Sequence, residues 1–136
     1  MNEEQLFKDR RALIVDDSAS MRAQLARHLT ELGVRVLQAT GALEALQALR
    51  NEQVDILFSD LVMPELDGFE LCEELRKQPR TAALPVVVVS THSDSHYITR
   101  ALRCGADDFL VKPISPERLK RVLARVMFPL RAEVGR

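Results

Sequence analysis

Short apolar runs alternate with amphipathic stretches along most of the chain. The runs predict five strands, at RALIVD (11–16), VRVLQA (34–39), VDILFSD (54–60), LPVVVVS (84–90) and ADDFLVKP (106–113). Their length and their bounding polar residues are typical of buried strands. The four consecutive valines of the fourth run indicate a strand that is buried on both faces of a sheet.

The stretches between the first three runs have the spacing of helices that bury one face. In the first stretch, Gly33 is the predicted stop, and the apolar positions are Met21, Leu25, Leu29 and Leu32. In the second, Thr40 is the predicted cap, and the shared apolar face is Leu43, Leu46 and Leu49.

The remaining helices carry clearer start and stop signals. Asp67 and Glu70 have capping-box spacing at the start of the third helix, whose inward residues are predicted to be Phe69, Cys72 and Leu75. The fourth helix is predicted near 94–103, with Gly105 after it. Ser115 as cap and Pro116 as the first residue start the fifth, whose apolar face is Leu119, Val122, Leu123, Val126 and Met127.

Alternation of five strands with five helices predicts an α/β fold made of βαβ units. Such units form a parallel sheet with helices on both faces, and right-handed crossovers leave few topologies. Ligands of open parallel sheets bind beyond the carboxyl ends of the strands. Candidate chemistry should therefore be sought at the residues where the strands end.

Polar residues stand at the carboxyl ends of four predicted strands. The first strand ends in Asp16 and Asp17, the third in Asp60, the fourth in Ser90 and the fifth in Lys112. A charged side chain at the edge of a core costs free energy unless something compensates it. We therefore expect these side chains to share one crevice and to compensate each other.

Three carboxylates in one crevice repel each other unless a cation joins them. Oxygen ligands without nearby Cys or His suit a hard divalent ion, and a small, incomplete site suits Mg²⁺. The Lys112 ammonium and the Ser90 hydroxyl would complete a receptor for a phosphoryl group. A carboxylate can itself be the nucleophile and form an aspartyl-phosphate. The chain has no Gly-rich phosphate loop, which favours a phosphoryl group over a whole nucleotide.

Four motifs in order resemble the response-regulator receiver domains of two-component signalling. They are LIVDDS (13–18), DLVMPELDG (60–68), VVVVS (86–90) and GADDFLVKP (105–113). The length of the chain and its end soon after the last predicted helix resemble the single-domain, chemotaxis-regulator-like subclass. The resemblance implies a flavodoxin-like, doubly wound (βα)5 fold with strand order 2-1-3-4-5. It also implies a receiver domain over residues 10–128, followed by a short C-terminal tail, 129–136.

The resemblance implies a magnesium site in which Mn²⁺ can substitute. Asp17 and Asp60 bind the ion directly, together with the backbone carbonyl of Val62, and Asp16 acts partly through water. Val62 is apolar where many relatives carry a polar group, so we expect it to position attacking water poorly. An aspartyl-phosphate on Asp60 should therefore be long-lived.

A phosphorylation switch is implied as well. A sensor histidine kinase or a phosphotransfer protein phosphorylates Asp60, Lys112 and Ser90 contact the phosphoryl group, and only slow autodephosphorylation follows. Phe109 matches the switch aromatic, which moves inward as Ser90 shifts. The face made by the fourth helix, fifth strand and fifth helix then binds a downstream protein or, as a further option, a second phosphorylated copy. The Lys112–Pro113 peptide bond is expected to be cis.

Bulk properties exclude some classes of function. A chain of 136 residues fits one domain, and a net charge of −1 gives no general attraction to nucleic acid or to anionic membranes. No apolar run has the length of a membrane span, and the N-terminus lacks a secretory h-region, so we expect a cytoplasmic protein without membrane insertion. Cys72 and Cys104 are then expected to be reduced thiols in or near the core.

Two alternatives stay open at this point. One is a receiver that belongs to a longer regulator with a cyclase or DNA-binding output. The other is an aspartyl-nucleophile phosphatase similar to the haloacid dehalogenases, which is disfavoured because Asp16 and Asp17 are adjacent instead of forming an Asp-x-Asp motif. The basic last helix is either a solvated face or a docking surface for an acidic partner.

Overall fold

Five parallel strands form the centre of the molecule. The computed structural model describes residues 6–92 and 94–128. The strands are β1 (Arg11–Val15), β2 (Arg35–Ala39), β3 (Ile56–Asp60), β4 (Val86–Ser90) and β5 (Asp108–Val111). Their order in the sheet is β2-β1-β3-β4-β5, and every neighbouring pair is parallel. The predicted flavodoxin-like, doubly wound order is confirmed.

Each strand is followed by a helix. The helices are α1 (Ala19–Glu31), α2 (Ala42–Asn51), α3 (Gly68–Lys77), α4 (Ser95–Arg103) and α5 (Pro116–Met127). One cluster of buried residues joins α2, α3 and α4 to one face of the sheet, and a second cluster joins α1 and α5 to the other. Among the described residues, no helix is long and apolar enough to cross a membrane. The predicted tail, 129–136, lies outside the described residues.

Most helix ends follow the signals in the sequence. The Asp67 carboxylate accepts a hydrogen bond from the Glu70 N–H, and the Glu70 carboxylate accepts one from the Asp67 N–H, so the capping box of α3 is confirmed. The Ser115 hydroxyl caps α5, with Pro116 as its first residue. Gly33 follows α1 with a φ of 87°, the left-handed conformation that a glycine stop provides at low cost.

The start of α2 differs from the prediction. Its N-cap is Gly41 and not Thr40, and the Glu65 carboxylate, from the loop after β3, accepts a long hydrogen bond of 3.5 Å from the Leu43 N–H. The Leu43 side chain is 58% exposed, so its prediction as part of the apolar face is wrong. The buried positions of α2 are Ala42, Ala45 and Leu49, and Leu46 packs partly buried against the same core cluster. Small alanines allow α2 to approach the sheet closely.

The strand register brings the predicted site residues to one edge. Asp60 is the last residue of β3 and lies opposite Val89 on β4. The next residue of β4, Ser90, lies opposite Val111, which ends β5. Lys112 follows directly, and the Lys112–Pro113 bond is cis, as expected. The carboxyl ends of β3, β4 and β5 therefore present their polar residues side by side.

Candidate functional site

Three carboxylates meet at the carboxyl edge of the sheet. Asp16, Asp17 and Asp60 each offer one oxygen, and these oxygens lie within 4.8 Å of one another. Asp16 is buried, Asp60 is partly buried and Asp17 is exposed, so the cluster opens toward solvent on one side. A set of ligand atoms that consists only of oxygens, this close together, fits a hard divalent cation. The structure thus brings the three predicted metal ligands together.

Lys112 lies between the two inner carboxylates. Its Nζ atom is 3.0 Å from Asp16 Oδ2 and 3.2 Å from Asp60 Oδ1, and its side chain is only 11% exposed. Burial disfavours the ammonium form, but the hydrogen bond and charge of Asp16 together with those of Asp60 outweigh it and raise the pKa of Lys112. Lys112 is therefore a fixed positive charge within the site. It supplies the compensation that Asp60 needs at the end of a buried strand.

The charged form of Asp60 is nevertheless disfavoured in the metal-free protein. Burial and then the negative charge of Asp16 raise the pKa of Asp60, although Lys112 and the Leu61 N–H act in the opposite direction. Both hydrogen bonds to the carboxylate go to Oδ1, from Leu61 N at 2.9 Å and from Lys112 Nζ at 3.2 Å. Among the described residues, Oδ2 has no hydrogen-bond partner. One oxygen of Asp60 is thus held in place and the other is available for chemistry.

The turn between β1 and α1 fixes the neighbouring acidic pair. Asp16 Oδ1 accepts a hydrogen bond of 2.9 Å from the Ser18 N–H, and Arg22 Nη1 donates one of 2.7 Å to the Asp16 carbonyl oxygen. The Arg22 guanidinium also donates to the Gln38 side chain on β2, at 3.2 Å. Arg22 is therefore a positioning residue for Asp16. Sequence reasoning missed it, because an arginine one turn into a helix carries no signal of its own.

Gly68 determines how closely α3 approaches Asp60. A Cβ atom at this position would lie 2.6 Å from the Asp60 carbonyl oxygen and 3.0 Å from Leu61 Cα. The Gly68 N–H donates a hydrogen bond of 2.8 Å to the Leu61 carbonyl oxygen. Any side chain here would push α3 away from the end of β3. The sequence motif contains this glycine, but its contact with Asp60 is visible only in the structure.

Comparison with known proteins supplies the family. The model of the response regulator receiver domain family matches residues 12–124. This chain belongs to the response regulator receiver domain family. Receiver domains are regulatory modules of two-component signalling, and they act with histidine kinases and downstream effectors. The resemblance seen in the sequence motifs is therefore confirmed.

Individual relatives cover this receiver domain almost completely. A probable transcriptional regulator ycf27 from Porphyridium aerugineum is 38% identical over 118 residues, which are 84% of this chain and 48% of that protein. A chemotaxis protein CheY homolog from Campylobacter jejuni is 37% identical over 117 residues, which are 85% of this chain and 90% of that protein. The structure of chemotaxis protein CheY4 from Vibrio cholerae has a TM-score of 0.81 and 32% identity, covering 87% of this chain and 98% of the other. The receiver domain thus spans about half the length of the ycf27 relative.

The two predicted switch residues of the receiver domain lie on neighbouring strands. Ser90 is buried at the end of β4, and its hydroxyl oxygen accepts a hydrogen bond of 3.0 Å from the His92 N–H. Phe109 lies on β5 opposite Val88, and its side chain is only 7% exposed. The ring is therefore buried in the cluster that joins α4 to the sheet. The parts that Ser90 and Phe109 play in switching stay predictions.

Val62 lies in the loop between β3 and α3, two residues past Asp60. Its side chain is 62% exposed. Farther along the loop, Glu65 adopts a φ of 75°, and its carboxylate reaches the N-terminus of α2 through Leu43. The loop is thereby tied to a second element of the fold. The role of the Val62 carbonyl as a metal ligand stays a prediction.

Proposed function

We propose that this receiver domain accepts a phosphoryl group on Asp60. The main support is the arrangement of the Asp60 carboxylate. Its Oδ1 atom accepts hydrogen bonds from Leu61 and Lys112, and its Oδ2 atom has no partner among the described residues. The donor is the phosphohistidine of a sensor histidine kinase or of a phosphotransfer protein. Membership of the receiver family supports this donor class.

A magnesium ion fits the acidic cluster, and Mn²⁺ is expected to substitute. Asp16, Asp17 and Asp60 would hold the ion, since each offers an oxygen to one small volume. The backbone carbonyl of Val62 is the further ligand that the resemblance assigns. The raised pKa of Asp60 supports a need for added positive charge, because Lys112 alone does not offset burial and the repulsion by Asp16. When bound, the ion supplies neutralisation of the phosphoryl oxygens.

In the transfer step, the free oxygen of Asp60 forms a bond to phosphorus. The bond between phosphorus and the donor imidazole nitrogen breaks, and its electron pair stays on the imidazole. Lys112 lies 3.2 Å from Oδ1 and is placed to neutralise the incoming phosphoryl oxygens. Water later hydrolyses the acyl phosphate slowly and restores Asp60. The chain thus acts as a timed switch and not as a turnover enzyme.

The output of the switch is proposed to be the face formed by α4, β5 and α5. Phe109 and Asp108 line a cavity of about 260 Å³ on this face, together with Val122 and the basic side chains Arg118, Arg121 and Arg125. An ion pair between Arg125 and Asp108 links α5 to β5. Movement of Ser90 toward the phosphoryl group would change how Phe109 packs beneath this surface. A population shift needs only a few kcal/mol of differential affinity for the downstream protein, or for a second copy of the chain.

A receiver that controls a longer regulator is the second candidate. The ycf27 relative supports it, because only 48% of that protein aligns with this chain. The chemistry at Asp60 is the same in both cases, and only the recipient of the signal differs. Family membership disfavours the third alternative, a phosphatase of the haloacid-dehalogenase type.

The proposal is tested by amide NMR spectra recorded first with Mg²⁺ and then with added beryllium fluoride, which mimics a bound phosphoryl group. Mg²⁺ should shift the amides around Asp17 and Asp60, and beryllium fluoride should then shift those of Ser90, Phe109 and Lys112. The Asp60→Asn variant should lose the second set of shifts. Asp9→Asn is a matched control at an exposed position, and it should behave like the wild type. Equal beryllium fluoride responses of the wild type and Asp60→Asn would contradict the proposal.

A further inference from the structure

Two free thiols contact each other between α3 and the end of α4. Cys72 is fully buried in the middle of α3, and Cys104, the C-cap of α4, is partly exposed. Cys104 packs against the buried cluster to which Cys72 belongs, and each thiol shifts the pKa of the other. The Cys104 Sγ atom also lies 2.9 Å from the Ala101 carbonyl oxygen, to which its thiol donates. The sequence predicted two reduced thiols in or near the core, because nothing in it indicates an oxidising compartment.

The contact between these two segments is held by Arg76, one turn after Cys72. The Arg76 Nε and Nη2 atoms donate to the Gly105 carbonyl oxygen at 3.0 and 2.7 Å, and Nη1 donates to the Leu84 carbonyl oxygen at 2.6 Å. A Cβ atom on Gly105 would lie 2.9 Å from Arg76 Cγ, and the φ of Gly105 is 106°. The backbone after Cys104 is therefore packed directly against α3. Arg76 thereby holds the segment that carries Cys104 against the helix that carries Cys72.

The two thiols are chemically unequal. The hydrogen bond from Cys72 lowers the pKa of Cys104 to about 7, although burial and the Glu73 charge oppose this. The same hydrogen bond, together with burial, raises the pKa of Cys72. Because the thiolate is the reactive form, Cys104 is the nucleophile of the pair and Cys72 keeps its proton. The greater exposure of Cys104 favours the same assignment.

We propose that Cys104 and Cys72 form a peroxide-sensitive pair, in which Cys104 is oxidised first and Cys72 closes an intramolecular disulfide. The Cys104 thiolate attacks one oxygen of hydrogen peroxide and breaks the O–O bond, which yields a sulfenic acid and hydroxide. The Cys72 sulfur then displaces the hydroxyl group of the sulfenic acid, which leaves as water with the Cys72 proton. The hydroxide from the first step takes up the proton that the Cys104 thiol lost. In total, the two thiols lose two electrons and the peroxide is reduced to two waters. A dithiol reductant reverses the change by exchange.

The disulfide would join α3 covalently to the C-terminal end of α4. It would close a loop of the chain between positions 72 and 104, and a cross-link of this kind restricts the unfolded state. The oxidised protein should therefore melt at a higher temperature than the reduced protein. The inference does not depend on phosphorylation of Asp60, so the two proposals stand or fall separately.

The test is intact mass spectrometry of the reduced, full chain after titration with hydrogen peroxide. We expect a mass loss of about 2 Da, no remaining free thiol and a cross-linked peptide that contains both cysteines. Dithiothreitol should restore the original mass, and the melting temperature should fall back with it. If the folded chain keeps both thiols while the unfolded chain reacts under the same conditions, the proposal is wrong. Formation of intermolecular disulfides alone would overturn it as well.

Single substitutions separate the two roles. In Cys72→Ser, oxidation should stop at a Cys104 sulfenic acid, which dimedone traps, whereas in Cys104→Ser the buried Cys72 should stay unmodified. Melting curves recorded in reductant check that each variant is folded. If Cys72 reacts faster than Cys104 in the folded wild type, the assignment of roles fails. The wild-type peptide map decides the pairing even where a variant is unstable.

Discussion

The ammonium of Lys112 lies 3.2 Å from the carboxylate of Asp60, although 52 positions separate the two residues along the chain. The same nitrogen is 3.0 Å from Asp16 Oδ2, so one fixed positive charge forms ion pairs with two carboxylates. A divalent cation in the acidic cluster would act on these same carboxylates. In the proposed function, Lys112 and the metal would compete for these carboxylates before phosphorylation and would act together on a bound phosphoryl group.

Replacing Lys112 should separate these two effects. Lys112→Ala should tighten Mg²⁺ binding about threefold or more, because a competing positive charge is removed. Phosphoryl uptake from a small phosphodonor should become at least about tenfold slower, because the transferring oxygens lose a charge partner. Calorimetric Mg²⁺ titration and intact mass against time measure the two effects.

Lys77→Ala is the matched control for this substitution. Its side chain is 70% exposed and pairs with Glu74 on the surface of α3. It should leave both quantities unchanged. Weaker Mg²⁺ binding by Lys112→Ala would contradict the arrangement described for the site.

In the absence of metal, Asp60→Asn should stabilise the protein at neutral pH. The pKa of Asp60 is raised above its ordinary value of 3.8, chiefly by burial and then by Asp16. The contribution of this group to stability is complete below pH 3.8 and is lost as pH rises through the folded-state pKa. The variant should therefore melt a few degrees higher than the wild type at pH 7, and the difference should shrink toward pH 4.

Melting curves from pH 4 to 8 in a chelator measure this effect. Asp9→Asn is the control, because the Asp9 side chain is 62% exposed and pairs with Arg35 at the surface. Its melting temperature should follow that of the wild type across the range. A less stable Asp60→Asn protein at neutral pH would show that the native state favours the ionised carboxylate.

Gly68→Ala should destabilise the fold and disturb Asp60. The added Cβ atom would lie 2.6 Å from the Asp60 carbonyl oxygen, and backbone cannot move aside as cheaply as a flexible side chain. Overpacking of this kind costs about 1–3 kcal/mol. Urea unfolding gives the free energy, and phosphoryl uptake by the folded fraction should slow as well.

Gly41→Ser provides the comparison for Gly68→Ala. The nearest atom to its added Cβ is Glu65 Oε1, at 3.1 Å, on a side chain that can rotate away. Serine is also a good N-cap for α2, so the change in stability should lie within about 0.5 kcal/mol of zero. Equal costs for the two substitutions would refute the specific contact between α3 and β3.

Val62→Asn should shorten the lifetime of the phosphorylated state severalfold. Val62 is exposed in the loop after β3, where an amide can orient an attacking water and an isopropyl group cannot. Decay of the acyl phosphate is followed by intact mass after removal of the donor. Leu102→Asn, at a residue 52% exposed on α4, is the control and should not change the decay. Equal or slower decay in Val62→Asn would remove the proposed role of this position.

The sequence predicted the fold and the edge of the sheet at which the candidate site lies. Apolar runs, the capping box at Asp67 and the glycine stop at Gly33 are local signals, and each leaves a pattern in neighbouring residues. A parallel sheet places all carboxyl ends at one edge, so convergence of Asp16, Asp60 and Lys112 followed from topology alone.

The features that the sequence did not predict depend on contacts between distant segments. The hydrogen bond from Arg22 to the Asp16 carbonyl and the pairing of Cys72 with Cys104 have no local pattern. The error at Leu43 has a different cause, since Leu46 and Leu49 pack against the core as predicted but Leu43, in the first turn, does not. The spacing of apolar residues does not fix how the first turn of a helix is rotated against the sheet, and in α2 that turn packs through Ala42.

The most direct test of the central claim is intact mass spectrometry of the wild type and Asp60→Asn after incubation with Mg²⁺ and a small phosphodonor. We expect one phosphoryl adduct on the wild type, dependent on Mg²⁺, and none on Asp60→Asn. Absence of an adduct on the wild type, or the same yield on Asp60→Asn, would contradict phosphorylation of Asp60.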